Sequence, residues 1–401
     1  MKRILFLSSI FSRESEAFFR ENSKGATSNA NNSFQWSLIK GMEENGYIVD
    51  VITAPNIGAF PTRFSILNIR RSVFTLDRGG RGISLPWFNM LFIKHFFIYR
   101  SLYAEVKKAE LSQYEAVIVY DLYPPFYKIF AFINAKRKSL KIINIVPDIV
   151  GMTRGNSSAL HRVFDSLSLS IIRRGMNFVN GYVYLTKYMP EKMPIHVQKA
   201  PSIVIEGICN PDISQLKDIP RINNKYFFYS GSLDLRHGIG NLIEAYVSAE
   251  GIDTELWICG DGDGRETVEA ACKHNPTIKY LGQLSRKEVI KLQASAFLLI
   301  NPRTSEGEFT KYSFPSKIIE YYLSGRPTFM YELEGIPKEY FDFCFSTNNE
   351  SIQELSLILK RISSLEEDYL TNMGRNAKDF VLNNKNARIQ IQKIFSFIDS
   401  L

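Results

Sequence analysis

Long apolar runs are missing from this chain: none reaches the roughly 18–20 residues that a membrane-spanning helix needs. Cysteine is scarce as well. Cys209, Cys259, Cys272 and Cys344 stand far apart without metal-ligand spacing, which speaks against a disulfide frame and a zinc site and fits a reducing cytoplasm. No Gly-x-Gly-x-x-Gly follows the first apolar run, so a dinucleotide oxidoreductase is disfavoured. Helix-turn-helix, zinc-finger and RNA-recognition signatures are absent too, and the net charge of +8 does not by itself imply nucleic acid. The basic, apolar opening has too short an apolar piece, and no small-residue cleavage site, for a signal peptide; it reads as a first buried strand.

What is present is enough chain for two domains. At 401 residues it exceeds the size that one core usually serves, and 45% hydrophobic with 22% charged residues is ordinary for a soluble globular enzyme. The first half opens with a strand over residues 2–7, a long polar loop ending near Gly25, a helix over 33–45 closed by Gly46, and a strand over 47–52. That order is a βαβ unit and predicts a parallel sheet. Apolar runs at 116–120, 141–146 and 182–186 continue it, with a long helix over 160–176. The second half repeats the theme at 226–230, 255–259, 277–282 and 296–300, with the boundary placed near Asn210. Ligands of open parallel sheets collect at the carboxyl ends of the strands, where Gly25, Asp148, Gly231 and Gly260 fall.

The positive charge is concentrated. Arg63, Arg70, Arg71, Arg78, Arg81, Lys94, Arg100, Lys107 and Lys108 meet only Asp77 and Glu105, and large apolar side chains from Phe64 to Tyr99 lie among them. Cations interleaved with such side chains suit an anionic bilayer surface, here the inner face of a cytoplasmic membrane. The plainer alternative is a core helix over residues 87–102 flanked by solvated arginines.

The most legible stretch is residues 301–327, NPRTSEGEFTKYSFPSKIIEYYLSGRP. A buried strand at 296–300 precedes it. Ser313 is a plausible N-cap, Pro315 fits a first helical turn, Gly325 fits the left-handed position after the last turn, and Pro327 stops continuation. Helical spacing puts Ser313, Ser316, Lys317 and Glu320 on one polar stripe and turns Ile318, Ile319 and Tyr322 toward a core. A helix start with free N–H groups, hydroxyls and a lysine suits phosphate. A carboxylate one turn on suits ribose hydroxyls, so the stripe reads as a receptor for a nucleotide diphosphate.

The run FPSKIIEYYLSGRP resembles the donor-site helix of retaining GT-B glycosyltransferases of glycosyltransferase family 4, in the Phe-Pro-Ser-Lys branch common in capsule, O-antigen and exopolysaccharide clusters. The resemblance implies an α/β fold of two Rossmann-like parallel-sheet domains facing across a crevice. It implies an acceptor-binding domain over 1–209, a nucleotide-sugar domain over 210–380, and a last helix over 381–401 crossing back. The implied activity is retaining hexosyl transfer from a nucleotide sugar, UDP preferred over GDP, to a glycan or polyprenyl-diphosphate-linked acceptor, without a metal or other cofactor. Glu320 matches the family's ribose-holding glutamate. The other glutamate of the family pair falls on Tyr312, so Glu308 or Tyr312 is assigned to the sugar hydroxyls. Gly260 and Asp261 match a Gly-Asp-Gly element lining the nucleotide pocket, Leu284 falls where relatives hold the base, and Gly25 lies in the loop that carries acceptor and phosphate contacts.

The chain also departs from the family. An arginine and a lysine that usually hold the diphosphate are replaced by Ser232 and His237 after Gly231, which passes the cation role to Lys317, Arg303 or Arg236. Asp148, at a strand end, suits orienting or deprotonating an acceptor hydroxyl, or else capping a helix; the histidine that many relatives carry there is missing. Asp261 and Asp263 lack the ligand series of a calcium loop. Two other classes stay open: a catalytically inactive GT-B-like binding subunit, which would tolerate lost cations, and a nucleotide-sugar epimerase, which would need acid and base groups that the histidines are poorly placed to supply.

Overall fold

The computed structural model describes residues 2–25, 29–149, 159–209 and 224–401. Two units emerge, one of Met1–Ile208 with Ala387–Leu401 and the other of Cys209–Asn386. The anticipated hinge at residues 210–223 lies outside the described residues.

Unit 1 is built on an eight-stranded sheet. Its spatial order is Ser202–Val204, Gly181–Tyr184, Lys141–Val146, Tyr114–Tyr120, Arg3–Ser8, Ile48–Thr53, Arg81–Ser84 and Ser72–Thr75. Every pairing is parallel except the last, where Ser72–Thr75 runs antiparallel to Arg81–Ser84. The central strands are apolar on both faces, as a sheet covered on both sides requires. Ile4, Phe6, Ile118 and Ile143 of the sheet pack with Leu38, Ile39 and Met42 of the helix Asn29–Glu44.

The last helix, Ala387–Ser400, lies against the helix Asn29–Glu44. Ile391 and Ile394 join the core there, and Phe395 stacks on Tyr47 at 3.9 Å. Gly41 permits the approach: a Cβ on it would stand 2.4 Å from the carbonyl oxygen of Ala387. The chain therefore returns to unit 1 at its end, beginning at Ala387 rather than near residue 381.

Three local expectations change. The loop after the first strand contains a short helix, Glu16–Glu21, and the next helix starts at Asn29 instead of Ser33. The proposed helix over 87–102 is divided. Trp87–Phe88 pairs antiparallel with Asn68–Ile69, and the helix runs Lys94–Lys108. Alternation decides this: Trp87 is buried while Phe88 is half-buried, and Ile98, Leu102 and Val106 recur at helical spacing only after Lys94.

Unit 2 has six strands, all parallel, in the order Ile278–Tyr280, Glu255–Cys259, Tyr226–Ser230, Leu298–Asn301, Thr328–Tyr331 and Phe345–Thr347. Its first strand sits in the middle; the chain builds outward to one edge and then crosses to the other side. Order reverses between Tyr226–Ser230 and Leu298–Asn301, the position where doubly wound sheets bind ligands. Tyr226, Phe228, Cys259, Leu299 and Tyr321 form a core cluster beneath it. Among the described residues of either unit, no helix is long and apolar enough to cross a membrane.

Candidate active site

At the reversal point of unit 2 three loops are woven together by glycine. Gly231 follows the strand Tyr226–Ser230 at φ 148, and Gly260 follows Glu255–Cys259 at φ 137. The two backbones touch: a Cβ on Gly260 would lie 1.7 Å from the Gly231 carbonyl oxygen. Gly238, at φ 78, lies against the Pro302 carbonyl, where a Cβ would come within 2.0 Å. Only glycine fits such contacts at positive φ. The aspartates of the Gly260–Gly264 turn are engaged in holding backbone. Asp263 Oδ1 accepts from the Leu235 N–H at 3.0 Å, and Asp261 Oδ1 accepts from the Gly262 N–H at 3.0 Å.

The helix Lys317–Ser324 enters this neighbourhood from the other side of the reversal. Ser316, not Ser313, occupies its N-cap position, and neither hydroxyl caps it. Ser313 is extended, and Phe314, directly before Pro315, is disfavoured from the helical region, so the helix starts later; the Pro315 carbonyl accepts from the Ile318 N–H at 3.0 Å. The C-terminal end is as the sequence implied, with Gly325 left-handed at φ 75 and the Thr328–Tyr331 strand following. Ile318, Ile319 and Tyr322 are buried.

Lys317 is the focus. Its ammonium donates to the Tyr229 hydroxyl at 3.3 Å and lies 4.3 Å from the centre of that ring. A Cβ on Gly231 would come within 2.6 Å of its Nζ. Part of the residue meets solvent, yet the charged end is sunk against the loop. Desolvation first, then repulsion from Arg303, brings Lys317 down to about 8, with Glu320 acting in the opposite sense. Among the described residues no carboxylate reaches Lys317 within ion-pair distance. Tyr229 is fixed in turn by donating to the Ser232 carbonyl at 2.6 Å.

Arg303 and Arg236 differ sharply. Arg236 is exposed and forked onto Asp234, its Nε lying 2.9 and 3.1 Å from the two carboxylate oxygens, and this pairing holds Asp234 down to about 2. Arg303 is 7% exposed, stacks 4.7 Å from the Phe309 ring centre, and its buried Nε has no hydrogen-bond partner among the described residues. Burial and Arg236 lower it to about 10. Asn301, two residues earlier at the strand end, has a buried Nδ2 in the same condition. His237 is held below its usual range by burial, then by Lys317 and Arg303. Lys317, Arg303 and His237 thus feel one another, and among the described residues no buried carboxylate pairs with them. An anion placed among them would relieve both the repulsion and the orphaned donors.

Other sequence-assigned residues are distributed as follows. Glu320 Oε1 accepts from Arg286 at 2.8 Å. Glu308 is exposed and Tyr312 buried, with the Tyr312 hydroxyl 3.4 Å from Glu308 Oε1. Leu284 packs on the core cluster around Tyr226, just ahead of a helix, Arg286–Ser295, started by a Ser285–Glu288 capping box.

Gly25 and Asp148 belong to unit 1. Beside Gly25, Ser23 bridges to Phe64 and the Lys24 N–H reaches the Arg63 carbonyl, so the loop's described contacts are with residues 63–64. Asp148 stands after the strand Lys141–Val146; its side chain is exposed, yet partial desolvation and the nearby Asp121 raise its carboxyl to about 6. Asp121 ends the adjacent strand at φ 75, and burial raises its carboxyl too. Sequence reasoning missed Asp121, Asn301, Phe309 and Tyr229. The first two carried a usable signal, a polar residue terminating a buried apolar run. Among the described residues no group of three or more His, Cys, Asp or Glu side chains could hold a metal ion.

These two doubly wound sheets, with a helix returning to the first, make the GT-B fold. The chain matches along its full length the sucrose-phosphate synthase of Thermosynechococcus elongatus, at TM-score 0.63 and 14% identity over 100% of each chain. It matches HepE of Anabaena, solved in complex with UDP, at TM-score 0.60 and 16% identity over 100% of each chain. The catalytic domain of starch synthase IV from Arabidopsis thaliana, bound to ADP and acarbose, superimposes at TM-score 0.69 and 10% identity, again over 100% of each chain. Residues 213–380 match the family model described as glycosyl transferases group 1. The similarity to group 1 glycosyltransferases therefore lies within unit 2, while the full-length matches share the fold. No curated protein matches the chain.

Proposed function

We propose that the chain transfers a hexose, with retention of configuration, from a UDP-sugar to a glycan or polyprenyl-diphosphate-linked oligosaccharide in bacterial surface polysaccharide biosynthesis. The observation that carries the donor reading is the uncompensated group of Lys317, Arg303 and His237 at the reversal point of unit 2. Cleaving the bond from the anomeric carbon to the diphosphate passes through an oxocarbenium-like state while negative charge grows on the leaving phosphate. Fixed, desolvated cations aimed at that charge accelerate the step. Lys317 and Arg303 hold the diphosphate, with the Ser316 hydroxyl and helix N–H groups beside them. Glu320 takes the ribose hydroxyls, its Oε1 shared with Arg286. Glu308 and Tyr312 meet the sugar. Unit 1 takes the acceptor, whose hydroxyl Asp148 orients or deprotonates; the leaving phosphate is the other acceptor for that proton.

The replacement of two family cations by Ser232 and His237 favours a second reading, an inactive binding subunit. Arg303 answers it, since a buried guanidinium with an unmet donor supplies the charge that those positions lack. Incubation with a panel of nucleotide sugars, read by released UDP or GDP, tests the proposal. Turnover is expected with wild type and lost in Lys317→Ala and Glu320→Ala; unchanged turnover in both variants refutes the assignment.

A further inference from the structure

Unit 1 carries an exposed apolar turn that nothing in the transfer reaction uses. Between the Trp87–Phe88 strand and the helix Lys94–Lys108, Met90, Leu91, Ile93, Phe96 and Phe97 are all exposed, Phe96 to 53%. The turn is anchored rather than loose. Phe92, at φ 69, packs its ring 5.3 Å from Phe164, and Lys94 Nζ donates to the Ile57 carbonyl at 3.1 Å. Its neighbours are therefore held outward on a fixed body. A contiguous exposed apolar patch of this kind marks an interaction surface.

The surroundings identify the partner's chemistry. Met90 bridges to Phe60, which with Phe18 and Arg70 lines a groove of about 690 Å³, so the apolar surface continues from the turn into the groove. The Arg100 guanidinium lies 5.9 Å from the Phe96 ring centre. Arg70, at the groove, and Arg100, beside Phe96, are both exposed. A second copy of the chain docked on this face about a two-fold axis would bring the Arg70 and Arg100 guanidinium groups of both copies into one interface. Nucleic acid would leave Met90, Leu91 and Ile93 without a partner. An anionic bilayer satisfies both parts, acyl chains for the apolar tips and headgroups for the guanidinium groups.

We propose that this face of unit 1 docks on an anionic lipid bilayer, with Met90, Leu91, Ile93, Phe96 and Phe97 entering the acyl region and Arg70 and Arg100 against the headgroups. The inference gives a lipid-linked acceptor a place to be met, but it stands on unit 1 alone and fails or holds independently of the donor site.

Vesicle co-sedimentation of the full chain tests it, using phosphatidylglycerol with phosphatidylethanolamine in equal parts against phosphatidylcholine alone. Wild type is expected on the anionic vesicles only, with binding weakened by salt. Phe96→Ser with Phe97→Ser lowers partitioning at least about tenfold. Arg70→Gln and Arg100→Gln each lower it about fivefold on anionic vesicles. Melting temperature and soluble release of UDP from donor stay at wild-type values, which separates this test from failure of the transferase reading. Absence of wild-type binding, equal binding to phosphatidylcholine, or unchanged binding by the double serine variant overturns the proposal. So does a concentration-dependent dimer that Phe96→Ser abolishes, because the face would then be an interface between copies.

Discussion

The two units have the same plan and end their strands with opposite chemistry. At the order reversal of unit 2 the strand ends and their loops carry Lys317, Arg303 and His237 around glycine-supported backbone. In unit 1 the adjacent strands Tyr114–Tyr120 and Lys141–Val146 lead into Asp121 and Asp148, both with raised carboxyls, Asp148 partly through its neighbour Asp121. A parallel sheet decides where a ligand binds, through strand order; the few residues after each strand decide which charge it must have. On the proposed reading, unit 2 holds an anion and unit 1 manages a proton.

The largest way to break that comparison is Lys317→Ala. Loss of a buried phosphate-facing cation should reduce donor turnover about 10²–10³-fold. If the variant keeps its rate, the anion site is elsewhere and the contrast between units collapses. Asp148→Asn comes next, with a loss of about 10²-fold expected for a removed acid–base group. With its carboxyl raised to about 6, wild-type kcat/KM should fall as pH drops through that value, and the asparagine variant should lack this acid limb. Because the folded carboxyl lies above its unfolded value of 3.8, Asp148 destabilises the fold as pH rises from 3.8 through about 6. The same variant should therefore melt higher at neutral pH.

A finer test stays inside unit 2. Arg303→Gln should weaken UDP binding by about 10–100-fold, as expected for a desolvated charge-assisted contact, and Arg236→Gln by less than about threefold, since Asp234 already neutralises it. Equal effects in calorimetry would erase the distinction between the two arginines.

The smallest effect is on stability, and its sign is opposite to that on activity. Lys317 at about 8 in the fold lies below its unfolded 10.5, so the native state binds fewer protons between those values and stability rises with pH across them. Below pH 8 the buried ammonium costs up to about 3 kcal/mol. Lys317→Met should accordingly stabilise the ligand-free protein at pH 7, with the gain shrinking from pH 8 to 10.5 in denaturant titrations. UDP affinity of wild type should weaken over the same window as the charge is lost.

Much of the helix Lys317–Ser324 was legible in the sequence. Gly325, Pro327, the buried faces of Ile318 and Tyr322, and the polar position of Lys317 and Glu320 all follow from spacing and cap chemistry, which act within one or two turns. The start of that helix was misplaced because Ser313 looks like a cap in isolation, whereas Pro315 keeps Phe314 out of the helical region and the cap position falls on Ser316. The segment 87–102 misled for a related reason: its aromatic density hides a change of period from two to 3.6 near Lys94, and only pairing with Asn68–Ile69 reveals it.

By itself, the sequence determined two parallel-sheet halves, the glycines that punctuate their strand ends, and the helix that presents Lys317, since these depend on local periodicity and turn chemistry. Only the tertiary structure decided which cations are free. Asp234 neutralises Arg236 two residues away, while Arg303 is buried on Phe309 with an unmet donor. Whether Arg236 folds back on Asp234 depends on the conformation of one turn, and the burial of Arg303 on the packing of its strand end against the Gly238 loop, remote in sequence; spacing encodes neither.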